Sequence, residues 1–267
     1  MNAKPIGRPM LRGLLVLSLL SAAALNAAVS TEAVTYRQGD TELQGFLAWD
    51  DAVGEKRPGV LVVHEWWGHN EHARNQAKRL AEAGYVGFAL DMYGDGKVAT
   101  HPADAQKFVT EAVAQPEILK ERFLAARSLL AANPHVDPEK IAAIGYCFGG
   151  AVVLTMARQG VDLDLVATFH GSLASGAKAA PGSVKPRVLV LHGGADPMIT
   201  PDQVEAFRRE MTDAGADFEI VVLEGAKHSF TNPDADAVGM PALAYDAEAD
   251  RASWQHLLEA LAEVFPR

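Results

Sequence analysis

The sequence predicts an α/β domain with a mostly parallel central sheet and helices on both faces, and three observations lead there. Apolar strand-like runs alternate with helix-length segments from residue 59 to the C-terminus, the order that builds parallel sheets. The runs at 59–64, 85–90 and 187–192 are continuously apolar rather than alternating, as strands buried on both faces are. Most of the reactive side chains then fall at or just after the ends of the runs: His64, Glu65, Asp91, Cys147, His170, His192, Asp196 and His228. Sites in open α/β sheets collect at those carboxyl ends.

Taken in order, 33–37 and 43–49 flank Gly39-Asp40 and read as an antiparallel hairpin at a sheet edge. The run 59–64 is the first buried strand and opens into Glu65-Trp66-Trp67-Gly68. A helix is expected over 71–83, with Ala73, Ala77, Leu80 and Ala81 on one face and Gly84 as its stop. The strand 85–90 leads into a turn-rich loop, 91–97. Two helices, 103–114 and 117–132, are parted by Pro116, and Asn133-Pro134 ends the second. Lys140 to Ile144 is the next strand, and 151–157 the helix beyond it. After these come a strand at 165–170, a Gly/Ala/Ser loop at 171–183 and a strand at 187–192. A helix starting near Pro201, a strand at 218–223 and a helix over 242–263 complete the chain.

The 267 residues carry a formal charge of −10, which argues against a nucleic-acid partner. The N-terminus reads separately. Lys4, Arg8 and Arg12 precede an apolar run from Leu14 to Leu25, and Ala27 offers a small residue for cleavage. That run has the length of a signal-peptide core and is short for a membrane span. The expected organisation is a signal peptide over 1–27 and a single domain over 28–267. The mature protein is expected in a bacterial periplasm, with no stable membrane association.

Between the strand at 140–144 and the helix at 151–157 stands Gly145-Tyr146-Cys147-Phe148-Gly149. Strand, tight turn and helix with a nucleophile at the turn is the Gly-x-Ser-x-Gly arrangement of α/β-hydrolases, here with a thiol. The helix N-terminus favours a thiolate and a developing oxyanion. Cys147 is the only cysteine, so it forms no intramolecular disulfide. A thiol nucleophile needs a base. His228, after the last strand, is the candidate, and Asp196, in the Gly193-Gly194-Ala195-Asp196-Pro197 turn, is the acid to orient it. Nucleophile, acid, base is the α/β-hydrolase order along a chain. His64, His170 and His192 read as core or supporting residues. Trp66 and Trp67 read as pocket residues over plain packing. Glu65, His69 and His72 lack HExxH spacing, so no metal is expected.

Five segments taken together resemble the dienelactone hydrolase family: 145–150, His64 to Gly68, Asp91-Met92-Tyr93, 194–196 and 225–230. The resemblance implies an α/β-hydrolase fold and a triad of Cys147, His228 and Asp196. It implies a glutamate beside the nucleophile, at Glu65, and an oxyanion hole from the backbone N–H groups of Phe148 and Trp66. Trp67, Tyr93 and Ser229 are expected in the substrate pocket. No cofactor is implied. A carboxylate at Glu65 could hold the thiol protonated, or it could only brace its loop. The chain departs from the family in one respect. Characterised dienelactone hydrolases grip the substrate carboxylate with two arginines, but the loop here reads Tyr93-Gly94-Asp95-Gly96-Lys97, and Thr231-Asn232 follows His228.

The expected activity is hydrolysis of a small ester or lactone through a thioester, by a monomer. A cysteine peptidase or amidase is one alternative. A periplasmic binding or thiol-sensing protein on the same fold is the other.

Overall fold

The computed structural model describes Met1 and residues 29–52 and 54–266; the expected signal peptide lies outside them. Eight strands form one sheet in the order β1-β2-β4-β3-β5-β6-β7-β8. β1 (Val29–Gln38) and β2 (Thr41–Asp50) make the predicted antiparallel hairpin, and β2 runs antiparallel to β4 (Val86–Leu90). From β4 onward every pairing is parallel, through β3 (Arg57–Val63), β5 (Val136–Tyr146), β6 (Leu165–Phe169), β7 (Arg187–Gly193) and β8 (Phe218–Leu223).

Side chains alternate across a strand, and β3 shows why its sequence does not. Leu61 and Val63 enter a core with Phe123, Leu130 and Val153, while Val60 and Val62 enter the opposite core with Leu80 and Leu257. The first core lies under α3 (Pro116–Ala132), α4 (Phe148–Arg158) and α5 (Pro201–Asp213). The second lies under α1 (Glu71–Glu82) and α6 (Ala247–Val264). Burying a strand on both faces demands apolar residues at every position. α2 (Pro102–Val113) packs at the rim through Ala112 and Phe108.

Three boundaries differ from expectation by four residues or more. β1 begins at Val29 because its full length pairs with β2. β5 begins at Val136, because Arg57 and Pro58 pair with Val136 and Asp137 ahead of a register shift. α6 begins at Ala247, not 242, because the Asp246 carboxylate caps it, accepting from the N–H groups of Glu248 and Ala249. Residues 242–246 are used elsewhere: the His228 N–H donates to Ala242, and those of Ala244 and Asp246 donate to His228 and Phe230. A segment of helical composition is thus spent on holding the loop after β8.

Candidate active site

The expected nucleophile sits where β5 turns into α4. Cys147 has φ 52° and ψ −113°, a strained conformation for a residue with a Cβ. It is held there by its N–H donating to Phe169 at 3.0 Å and by its carbonyl accepting from Ala151 at 3.3 Å. The neighbouring glycines are required by contact. A Cβ on Gly145 would lie 2.1 Å from the Gly149 carbonyl oxygen, and one on Gly149 would lie 2.3 Å from that of Val63. Gly149→Ala is therefore expected to destabilise the fold by about 2–3 kcal/mol, as overpacking a rigid backbone does. It should also displace Cys147, and denaturant unfolding together with a thiol-alkylation rate checks both effects. Phe148 opens α4, and the first N–H groups of a helix have no intrahelical partner, so its N–H is available beside the sulfur.

His228 and Asp196 come together as the chain order predicted. His228 Nδ1 lies 2.8 Å from Asp196 Oδ2. The second Asp196 oxygen accepts from the Met198 N–H at 2.8 Å, locking the carboxylate in its turn. A carboxylate on Nδ1 leaves Nε2 as the basic nitrogen. That atom is buried, and besides Asp196 the side chain that acts on the ring is Cys147. Burial lowers the ring's pKa. Once the Cys147 sulfur is ionised, its charge and the bond to Asp196 raise it by more, to about 10, so the ring holds the proton that the thiol gives up. Cys147, Asp196 and His228 thus meet at the carboxyl ends of β5, β7 and β8.

Glu65 is buried, and both its oxygens are engaged. Oε1 accepts from Ser229 Oγ at 2.9 Å and Oε2 from Asn232 Nδ2 at 2.6 Å. This is the bracing arrangement: it ties the loop after β3 to the loop carrying His228. Ser229, at φ 57°, turns its hydroxyl to that carboxylate, a bracing contact rather than the expected pocket wall. Asn232 escaped sequence reasoning, because its partner lies 167 residues away and nothing local marks the pairing.

The three strand-end histidines are supporting residues, as expected. His64 bonds the Glu65 carbonyl and the Met92 N–H, His170 bonds Thr231, and His192 is buried. Burial lowers the pKa of all three. Trp67 lines a cleft of about 440 Å³ with Asn232, Asp234, His101 and Val238. Trp66 packs edge-on against Trp67, ring centroids 4.9 Å apart. Tyr93 does not share that cleft. It is buried against His64, Phe108 and Phe148 and borders a separate cavity of about 90 Å³ with Arg122. The Arg122 guanidinium donates to the Met92 carbonyl at 2.8 Å, bracing from α3 a loop that has no arginine of its own.

Residues 43–265 match the family model described as the dienelactone hydrolase family. Among solved structures, a dienelactone hydrolase-like promiscuous phosphotriesterase from metagenomic libraries is 37% identical, with a TM-score of 0.85 over 89% of this chain and 99% of its own. A dienelactone hydrolase from Anabaena variabilis shares the fold at 20% identity and a TM-score of 0.63, over 88% of this chain and 98% of its own. Protein usf of Aquifex pyrophilus is 29% identical over 219 residues, 80% of this chain and 93% of that protein.

Proposed function

The chain belongs to the dienelactone hydrolase family, and on that premise we propose that it hydrolyses a small neutral ester or lactone through a thioester on Cys147. One observation carries the reading. A histidine with its Nδ1 on a buried carboxylate and its ring under the influence of the Cys147 sulfur is the base for a thiol on a strained strand-to-helix turn.

The Cys147 proton passes to His228 Nε2, and the sulfur attacks the carbonyl carbon. The carbonyl π pair moves to oxygen, which the N–H groups of Phe148 and Trp66 receive. Collapse expels the alkoxide, which takes the proton from His228 and leaves the thioester. A water then attacks the thioester, giving its proton to His228. The second tetrahedral intermediate expels the sulfur, which takes the proton back from His228 as the acid forms. Asp196 holds the imidazole in the working tautomer throughout. Glu65 braces the two loops that carry the Trp66 donor and the base. An amide demands stronger protonation of its leaving group, and a panel of matched esters and amides separates the two activities.

The charge of the substrate follows from the two places where characterised dienelactone hydrolases carry arginine: here the loop reads Tyr93-Gly94-Asp95-Gly96-Lys97, and Thr231-Asn232 follows His228, with the Asn232 amide spent on Glu65. An Arg–carboxylate fork is strong and selective, and neither place holds an arginine to make one. Lys97 lies 3.9 Å from Asp95, and Lys227 donates to the Pro241 carbonyl. Neutral esters and lactones are expected to show kcat/KM at least equal to that of a carboxylate-bearing lactone. A panel of charged and neutral substrates, with a neutral phosphotriester among them, tests this. Strong preference for the carboxylate, lost in Lys97→Ala or Lys227→Ala, would overturn it. We propose export as well, on the basic lead and apolar run at the N-terminus, which fractionation of the native host would check.

A further inference from the structure

The two oxyanion donors are not built alike. The Phe148 N–H opens α4, and the helix itself holds its direction. The Trp66 N–H lies in a loop, and a loop donor needs something to aim it.

The contacts around Trp66 supply that. Its N–H shares a peptide with the Glu65 carbonyl, and in a trans peptide the two point in opposite directions. The Glu65 carbonyl accepts from His64 Nδ1 at 2.5 Å and from the Gly68 N–H at 3.3 Å. The other His64 nitrogen, Nε2, accepts from the Met92 N–H at 3.2 Å. An imidazole that accepts at Nε2 and donates at Nδ1 is neutral with one defined tautomer. Burial lowers the His64 pKa, which favours that neutral form. The next peptide is held as well: the Tyr93 hydroxyl donates to the Trp66 carbonyl at 3.0 Å. Tyr93 is anchored by its own N–H to Asp91 Oδ1 at 2.9 Å. Its ring lies 4.7 Å from that of His64 and 5.4 Å from that of Phe148. One tyrosine therefore touches the loop of one donor and the residue that carries the other.

We propose that His64 and Tyr93 are positioning residues that aim the Trp66 N–H at the developing oxyanion. The proposal rests on the acyl-transfer reading of Cys147. His64 sets the plane of the donating peptide, and Tyr93 sets that of the next one. Bonds accepted by the Glu65 carbonyl also polarise its peptide and strengthen the N–H as a donor. The turn at Asp91-Met92-Tyr93 thus acts in catalysis without touching substrate.

The experiment separates oxyanion chemistry from thiol chemistry. Tyr93→Phe keeps the ring and removes only the hydroxyl. It is expected to lower kcat by about 10- to 100-fold, the range for a misplaced donor, with KM nearly unchanged. Affinity for a substrate-like aldehyde, which forms a tetrahedral hemithioacetal on Cys147, should fall by the same factor as kcat/KM. Alkylation of Cys147 by iodoacetamide develops no oxyanion and should keep its wild-type rate. His64→Leu is expected to behave like Tyr93→Phe, and His64→Gln, which retains one donor and one acceptor, to recover part of the loss. Unchanged kcat in Tyr93→Phe would overturn the proposal. So would equal losses in acyl transfer and alkylation, because they would mark general disorder of the site. A wild type with no Cys147-dependent burst would fail at the earlier step and overturn the acyl-transfer reading itself.

Discussion

Cys147→Ala is expected to lower kcat by about 10⁴- to 10⁶-fold, the scale on which removal of a triad nucleophile acts. The expectation follows from where the residue stands. Cys147 is half-buried, at positive φ, at the N-terminus of α4 and close enough to His228 for its sulfur to act on the ring. In the wild type, an activated neutral ester should release a burst of product equal to the active sites and then settle to a slower steady rate. A thioester that forms faster than it hydrolyses produces that pattern. The variant should show no burst, and mass spectrometry of the trapped wild type should find the acyl group on Cys147. Wild-type turnover in Cys147→Ala would exclude the covalent route through this residue, whereas a wild type with no turnover on any ester or lactone would leave a binding or sensing protein on the same fold.

Loss of the base should cost nearly as much. His228→Ala is expected to reduce kcat on the same scale, and the double variant with Cys147→Ala to be little worse than either single one, because the members of one catalytic unit are not additive. Asp196→Asn should be roughly 10²-fold milder, since it misorients the imidazole without removing it. The environment of the ring gives a second measurement. Among the influences that raise the His228 pKa, the charge of Cys147 is the largest. In Cys147→Ala the ring should therefore titrate at a distinctly lower pH, with burial now opposed mainly by Asp196. An NMR titration of the imidazole protons in both proteins checks it. An unchanged titration would mean that sulfur and imidazole do not interact.

Much of this protein was legible along the chain. The parallel sheet showed in runs such as 59–64 because a strand covered on both faces needs apolar residues at every position. The turn that holds the candidate nucleophile showed because a strand-to-helix turn of this tightness requires glycines at fixed offsets, and Gly145 and Gly149 mark it. The meeting of His228 with Asp196 showed through topology, since the carboxyl ends of parallel strands share one edge of the sheet. These are local or periodic constraints, and they leave local or periodic traces.

Tertiary structure alone decided the support of the site. Glu65 could have lain on the thiol or braced its loop, and its oxygens accept from Ser229 and Asn232, partners that no local pattern marks. Tyr93 was expected in the substrate pocket, and its hydroxyl is on the Trp66 carbonyl, a use that nothing along the chain announced. Residues 242–246 were expected to be helical and instead hold the His228 loop. In each case the partner lies far away in sequence, and a hydrogen bond between distant residues imposes no spacing on either. Such a contact depends on directions fixed only when the strands have paired and the helices have packed, so it leaves no pattern along the chain to be read.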